Sequence, residues 1–452
     1  MATTCVVGAG TAGLAMAREL KDRGEAFVVL ERRAEVGGLW VYDEAKAREA
    51  QLWDGEGAVP VRDGVGPEAS PARPMYRDLV TNLPKDTMAY ADFDFPDDGE
   101  VPEFPNMAHR HVLEYVQQFA AHHGLERQVE LRTTVRSVQW DEAAGAWAVA
   151  SAPAGAPLSA EPQLRWFANV VVANGHHAEP ILPELPGQRG FPGRVMHSCS
   201  YDSPDSFAGQ RVLVLGGSVS AGQIAEMLEK AGTCAEVAVT TRVPTATAYR
   251  ALTSGSIAAA KKSGVTIHKE LKELRPDGSV HFIEGEPMEA VDVIVTATGF
   301  AYSFPFLDTE ALDLLEGRGF NVQHLYKGIW YAARPSLSFI GLHNTLMGPA
   351  QLFEHQARAI CAVIQSRGLP LPSEQEMERV LAAERAARPA GERLFLGLKT
   401  ETYCKEMAVL SETVCTYRGK FKGVKPPEDG EVVRINPAKR DAESLPGSSA
   451  RL

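Results

Sequence analysis

The chain is 452 residues long, 44% apolar and 23% charged, with a formal net charge of -12. Such a length builds roughly two or three domains with ample core, and the excess of acid leaves no basic stripe to neutralise nucleic-acid phosphates. No run of about eighteen apolar residues occurs, so neither a spanning helix nor a membrane anchor is expected.

In chain order, Cys5 to Val7 reads as a short buried strand, followed by Gly8-Ala9-Gly10-Thr11-Ala12-Gly13. Leu14 to Arg23 predicts a helix with Leu14, Ala17 and Leu20 on one face. Gly24 ends it, and Phe27 to Leu30 forms a second strand that closes on Glu31. Together these make a full dinucleotide fingerprint rather than a lone glycine triplet. Gly8 permits the tight turn, Gly10 lets the backbone approach a pyrophosphate, and Gly13 packs helix on strand. Amides at the helix N-terminus favour the phosphates, and Glu31 stands where an acid bonds ribose hydroxyls. A glycine-rich turn in an unliganded doubly wound fold is the plainer alternative, but strand, helix and acid all fall in register.

ERRAEVGGLW, Glu31 to Trp40, adds a second glycine pair, and Ala45 to Pro74 lacks periodicity and reads as an excursion loop. Tyr76 to Pro96 carries Thr81-Asn82-Leu83-Pro84-Lys85, where an asparagine before Leu-Pro is by itself a common turn residue. His109 to Leu125 reads as an amphipathic helix with Val112, Tyr115, Val116 and Phe119 inward. Val129 to Ala150 alternates as strands around a turn at Glu142 to Gly145, and Phe167 to Ala173 returns as one buried strand. The proline-rich stretch from His176 to Gly190 suits an interdomain crossing. FPGRVMHSCSY, Phe191 to Tyr201, reads on physical grounds alone as a surface loop between domains.

RVLVLGGSVSAGQIAEML, Arg211 to Leu228, repeats the first unit with Gly216 under Gly8. Ser218 stands where the second glycine belongs and Ala221 where the third does, which predicts a loosened phosphate turn whose serine hydroxyl can donate to a phosphate. The next strand, Glu236 to Arg242, ends on Thr240-Thr241-Arg242 with no carboxylate. A carboxylate there repels a 2′-phosphate and an arginine binds one, so Thr241 and Arg242 predict NADPH over NADH. Short strands around Gly278 follow, then a buried strand ending at Ala297-Thr298-Gly299, and a helix over Phe353 to Ile364.

The N-terminal residues read as entering a strand, so no signal segment is expected. Six scattered cysteines with no CxxC pair fit reduced thiols, and a cytoplasmic location is expected. His122-His123 and His176-His177 lack partners at ligand spacing, so no metal is expected. The tail 441–452 is polar and reads as flexible.

The spacer FxGxxxHSxxY between two dinucleotide turns, with TNLPK and the ATG strand end, resembles the flavin-containing monooxygenases, and matched segments run from Cys5 to Ile364. The resemblance implies an α/β fold of two Rossmann-like domains. An FAD domain (1–185 and 299–440) carries an inserted NADP domain (186–298). It places FAD at Gly8, Ala9, Gly10, Gly13 and Glu31, and near Gly38, Leu39, Trp40, Asn82 and Leu83, with Val135 offering backbone to the adenine. NADPH falls to Gly216, Ser218, Ser220, Ala221, Gln223, Thr241 and Arg242. Asn82 is the catalytic residue implied, bonding the oxygenated flavin at its reactive face.

The implied reaction passes a hydride from NADPH to FAD. A 4a-hydroperoxide then forms with dioxygen, and oxygen moves to a small amine or sulfur nucleophile in a pocket that excludes water. His197, inside the spacer, is expected to be structural. Phe300 takes the place of the family's usual tyrosine. Baeyer-Villiger enzymes usually have tryptophan where Tyr201 stands, which counts against that alternative. Amine N-hydroxylases and a non-oxygenating flavin redox protein stay open, as does a homodimer.

Overall fold

The computed structural model describes residues 3–44, 74–96, 99, 101–102, 107–242, 256–343, 348–366, 368, 370–388 and 400–416. The excursion loop expected over 45–74, apart from Pro74, and the tail (441–452) lie outside them. Among the described residues the chain builds two separate large sheets, one mainly and one wholly parallel. The first runs in the order Leu325–Tyr326, Trp330–Tyr331, Leu337–Phe339, Asn169–Val172, Thr4–Val7, Phe27–Leu30, Val129–Glu130. Its last five strands are mutually parallel, and the first two form an antiparallel hairpin on the edge.

Continuous apolar strands such as Cys5-Val6-Val7 and Val170-Val171-Val172 are what a sheet covered on both faces requires. One face carries helices α1 (Thr11–Asp22), α2 (His109–His122) and α4 (Pro349–Ile364), packed through Leu14, Met16, Tyr115, Phe119 and Ile360. The other is covered by an antiparallel sheet of Thr133–Asp141, Ala146–Pro153 and Gln163–Phe167, through Trp147, Phe167, Phe304 and Phe339. Burial of each of these large side chains contributes about 1.5–3 kcal/mol.

The second sheet has the order Thr266–His268, Glu236–Thr240, Arg211–Leu215, Val293–Thr296, Arg194–His197, all parallel. Helix α3 (Val219–Ala231) packs on it through Ile224, Ala225 and Leu228. The chain leaves the first sheet after Val172 and returns through Phe300–Ala301, which pairs antiparallel with Glu179–Pro180. The two crossings therefore lie side by side.

Two expectations need correction. Phe167 to Ala173 is not one strand. Phe167 closes the antiparallel sheet, Ala168 is exposed, and Asn169–Val172 enters the parallel sheet. A single apolar run serves both layers, and its period alone does not show the break. Nor is the spacer only a surface loop, since Arg194–His197 is the outer strand of the second sheet, in register with Val293–Thr296. Helix α1 starts at Thr11, ahead of the expected Leu14, and α4 at Pro349, ahead of Phe353.

Candidate active site: two glycine cradles

The first cradle is closed by backbone. Gly8 has φ +107°, and a Cβ there would stand 2.6 Å from the Ala173 carbonyl oxygen. A Cβ on Gly13 would fall 1.9 Å from the Gly8 carbonyl oxygen, so only hydrogen fits between helix and turn. The ERRAEVGGLW segment folds over this turn: Gly37 N donates to Ala9 O at 3.0 Å, and a Cβ on Gly38 would reach 2.7 Å from the Gly10 Cα. Helix α1 has no side-chain cap at Gly10, which leaves its first amides for an anion. Glu31 is 5% exposed and sits under the turn, accepting from Ala9 N at 2.7 Å and Arg33 N at 2.8 Å. Leu39 is exposed, Trp40 packs half-buried on the helical core, and Val135 is buried against the Leu30 side of the sheet beside a strand irregularity.

The second cradle repeats the geometry with more room. A Cβ on Gly216 would lie 2.6 Å from Ala297 O, and one on Gly217 would lie 2.5 Å from Thr241 Oγ1. Ala221 is fully buried, and its methyl occupies the space that Gly13 leaves empty in the first unit. Ser218 is the N-cap of α3 with no side-chain cap bond, in an extended conformation open to any residue. Ser220 is exposed. Arg242 is exposed at the strand end and pairs with Glu270 at 3.3 Å.

Asn82 is exposed in a turn closed by the bond from Thr81 Oγ1 to Leu83 O at 3.0 Å, while Leu83 packs half-buried. Thr81 N bonds Met107 O at 2.8 Å, fixing the turn to the first unit. The preceding residues touch the second unit. Tyr76 OH donates to Gln223 Oε1 at 3.2 Å, Gln223 Nε2 donates to Val80 O at 3.4 Å, and the Tyr76 ring meets Tyr201 edge-on at 5.3 Å. Gln223 therefore faces the Asn82 segment from α3.

His197 is fully buried, and burial pushes its imidazole down to about 4. Its Nδ1 accepts from Cys199 N at 3.1 Å and its Nε2 donates to Gly299 O at 3.1 Å, which ties the spacer to the returning strand. Both ring nitrogens are thus committed to backbone, as a structural role requires. Among the described residues no group of three His, Cys, Asp or Glu is placed to hold a metal.

Sequence reasoning missed Gly341, Tyr42 and Asp202, and placed Gln356 in the family pattern without giving it a contact. A Cβ on Gly341 would press to 2.8 Å from the Ala12 Cβ at the start of α1, and Gly341 N bonds the buried Gln356 Oε1 at 3.1 Å. A glycine following the apolar strand Leu337–Phe339 was the available signal. Nothing local marks Tyr42 and Asp202.

Two uncapped helix starts, each above turns where added Cβ atoms would strike backbone or a neighbouring side chain, place the chain among proteins with two nucleotide-binding units, and the residues present fit a dinucleotide at each. The sequence matches the flavin-binding monooxygenase-like family model over residues 67–259 and 256–417, and an NAD(P)-binding Rossmann-like domain over residues 6–53. It is 34% identical over 381 residues to flavin-containing monooxygenase FMO GS-OX-like 4 of Arabidopsis thaliana, covering 82% of this chain and 78% of that protein. S-allyl-L-cysteine S-oxygenase from Allium sativum superposes with a TM-score of 0.76 at 28% identity, over 91% of this chain and 89% of that one. Cyclohexanone monooxygenase shares the fold alone, at 15% identity and a TM-score of 0.57 over 90% and 97% of the two chains. The chain belongs to the flavin-binding monooxygenase-like family, an enzyme family that binds FAD and uses NADPH. No helix among the described residues is long and apolar enough to cross a membrane.

Proposed function

We propose that the chain oxygenates the sulfur of a small thioether, converting thioether, dioxygen, NADPH and a proton to sulfoxide, NADP+ and water. The observation that carries this is the Tyr76–Leu83 segment, which holds Asn82 while touching both units. The choice of sulfur over nitrogen is supported by the likeness to S-allyl-L-cysteine S-oxygenase across nearly the whole chain.

When bound, the flavin supplies the two-electron and dioxygen chemistry that no protein side chain provides. The chain's own residues bind, orient and shield. Gly8, Ala9, Gly10 and Gly13 with the α1 amides hold the FAD pyrophosphate, and Glu31 takes the ribose. Gly38, Leu39, Trp40, Leu83 and Val135 line the rest of that cofactor. Gly216, Ser218, Ser220, Ala221 and Gln223 hold the nicotinamide cofactor, with Thr241 and Arg242 on its 2′-phosphate. Asn82 offers its side-chain amide as the donor at the reacting face. In this scheme residues 1–185 and 299–440 form the FAD domain and 186–298 the inserted NADP domain.

The test follows NADPH consumption, sulfoxide and hydrogen peroxide together, with a dialkyl thioether and a tertiary amine in parallel. Sulfoxide matching the NADPH consumed is expected. Stoichiometric peroxide with either substrate would sink the oxygenase reading, and N-oxide in preference to sulfoxide would sink the choice of sulfur. Asn82→Ser should raise peroxide per NADPH by about tenfold, the scale of one lost hydrogen bond to a charged group.

A further inference from the structure

We infer that Asp202 is a positioning residue that seats the Asn82 segment and the Gly38 turn against the second nucleotide unit. Asp202 directly follows the spacer's last residue, Tyr201, and is 7% exposed. Its Oδ1 accepts from Tyr42 OH at 2.9 Å and from the Arg77 backbone N–H at 3.1 Å. Tyr42 lies just beyond the Gly38–Trp40 turn that closes on Gly10, and Arg77 lies shortly before Asn82. One carboxylate oxygen of the second unit thus ties down both stretches of the first unit that reach toward the reacting face.

Neighbouring contacts reinforce the seat without replacing it. The Arg77 carbonyl is bonded by His109 Nε2 at 3.2 Å, and the Tyr42 ring lies 5.5 Å from the His109 ring. The Arg77 guanidinium pairs with Asp205, but that carboxylate is 75% exposed, where an ion pair contributes little. The Tyr76–Gln223 bond joins neutral groups. Asp202 is the buried acceptor of the set, its bonds are charge-assisted, and its loss strips two donors at once. Burial and the Asp202 bond together push the Tyr42 hydroxyl up to about 12, which keeps it a donor. Asp202 follows the strand Arg194–His197 of the second sheet by one short turn, so the seat is anchored to that sheet.

The functional consequence rests on the monooxygenase reading, and the experiment keeps the two apart. Amide hydrogen exchange in the full FAD-loaded chain is compared among wild type, Asp202→Ala and Asp202→Asn, the last retaining an acceptor oxygen. Exchange across residues 75–82 should quicken in Asp202→Ala by about tenfold or more, the scale of a lost charge-assisted hydrogen bond. Asp202→Asn, which keeps the acceptor oxygen without its charge, should recover part of the protection, while the core strand 212–214 stays protected in all three. Sulfoxide formed per peroxide released should fall in parallel and recover in parallel. Wild-type exchange across 75–82 in a folded Asp202→Ala would overturn the inference. Absence of sulfoxide from the wild type would overturn the function but leave the exchange result standing. Should Asp202→Ala not fold, Tyr42→Phe removes one donor only. Faster exchange across 38–44 then supports the seat, and unchanged exchange there overturns it.

Discussion

The chain builds strand, glycine turn, helix and strand twice, and the two copies close differently. In the first, helix and turn meet with room only for hydrogen at Gly13, and a second glycine turn presses Gly38 onto Gly10. In the second, a methyl fits at Ala221 and a serine stands at the second glycine position. The first strand end carries a buried acid bonded to two amides, the second an exposed arginine paired with Glu270. At Gly8 and Gly216 alike a backbone carbonyl oxygen stands 2.6 Å from where a Cβ would be, so the difference lies at the helix contact, where a methyl on Gly13 would strike the Gly8 carbonyl while that of Ala221 is accommodated. The same motif therefore packs helix on turn more closely in the first unit than in the second, and it is contact rather than spacing that separates them.

The most damaging way to probe this contrast is Gly13→Ala. The added methyl meets the Gly8 carbonyl, and we expect about 3 kcal/mol of lost stability. The protein should purify without flavin absorbance, as measured by visible spectra and denaturant unfolding. A yellow, stable Gly13→Ala variant would erase the distinction between the two cradles.

Arg242→Ala should raise the KM for NADPH by about tenfold or more, as loss of a charged hydrogen bond to phosphate implies, and leave that for NADH in place. Breaking the exposed pair with Glu270 costs little by itself. An unaltered preference between the two nucleotides would move the 2′-phosphate to another cation.

Acid should loosen both units. Burial lowers His197 in the second sheet, and His343 and His355 beside the first, each to about 4. The unfolded chain takes up these protons from about 6.5 downward while the folded chain does not, so stability is full above that pH and falls as pH drops toward 4. Each histidine contributes at most about 1.4 kcal/mol per pH unit in that window. Denaturant unfolding between pH 7.5 and 5 measures the slope, and His197→Asn should flatten it. An unchanged slope would mean that His197 titrates normally.

The mildest change is Ala221→Gly, which makes the second turn resemble the first. It should cost about 1 kcal/mol or less, from helix propensity alone, and leave NADPH use intact. A larger loss would show that the methyl is a required closure rather than tolerated slack.

What was legible in the sequence is local. The glycine rows, the strands on either side of them, Glu31 and Arg242 lie within a single unit, where backbone stereochemistry and hydrophobic period act over a few residues. The observed Thr4–Val7 and Phe27–Leu30 strands and helix α2 lie within a few residues of their expected bounds. The spacer was legible as a motif but not as a strand, because its partner Val293–Thr296 lies about a hundred residues away. The split at Ala168 was invisible because apolar burial is non-directional, so one valine-rich run satisfies either sheet. Tyr42 and Asp202, 160 residues apart, carry no mark that pairs them. The sequence by itself determined two nucleotide-binding units and the charge at each strand end, since both follow from short-range rules. Only the tertiary structure decided which unit closes tightly and which carboxylate joins them, because those depend on how distant segments pack.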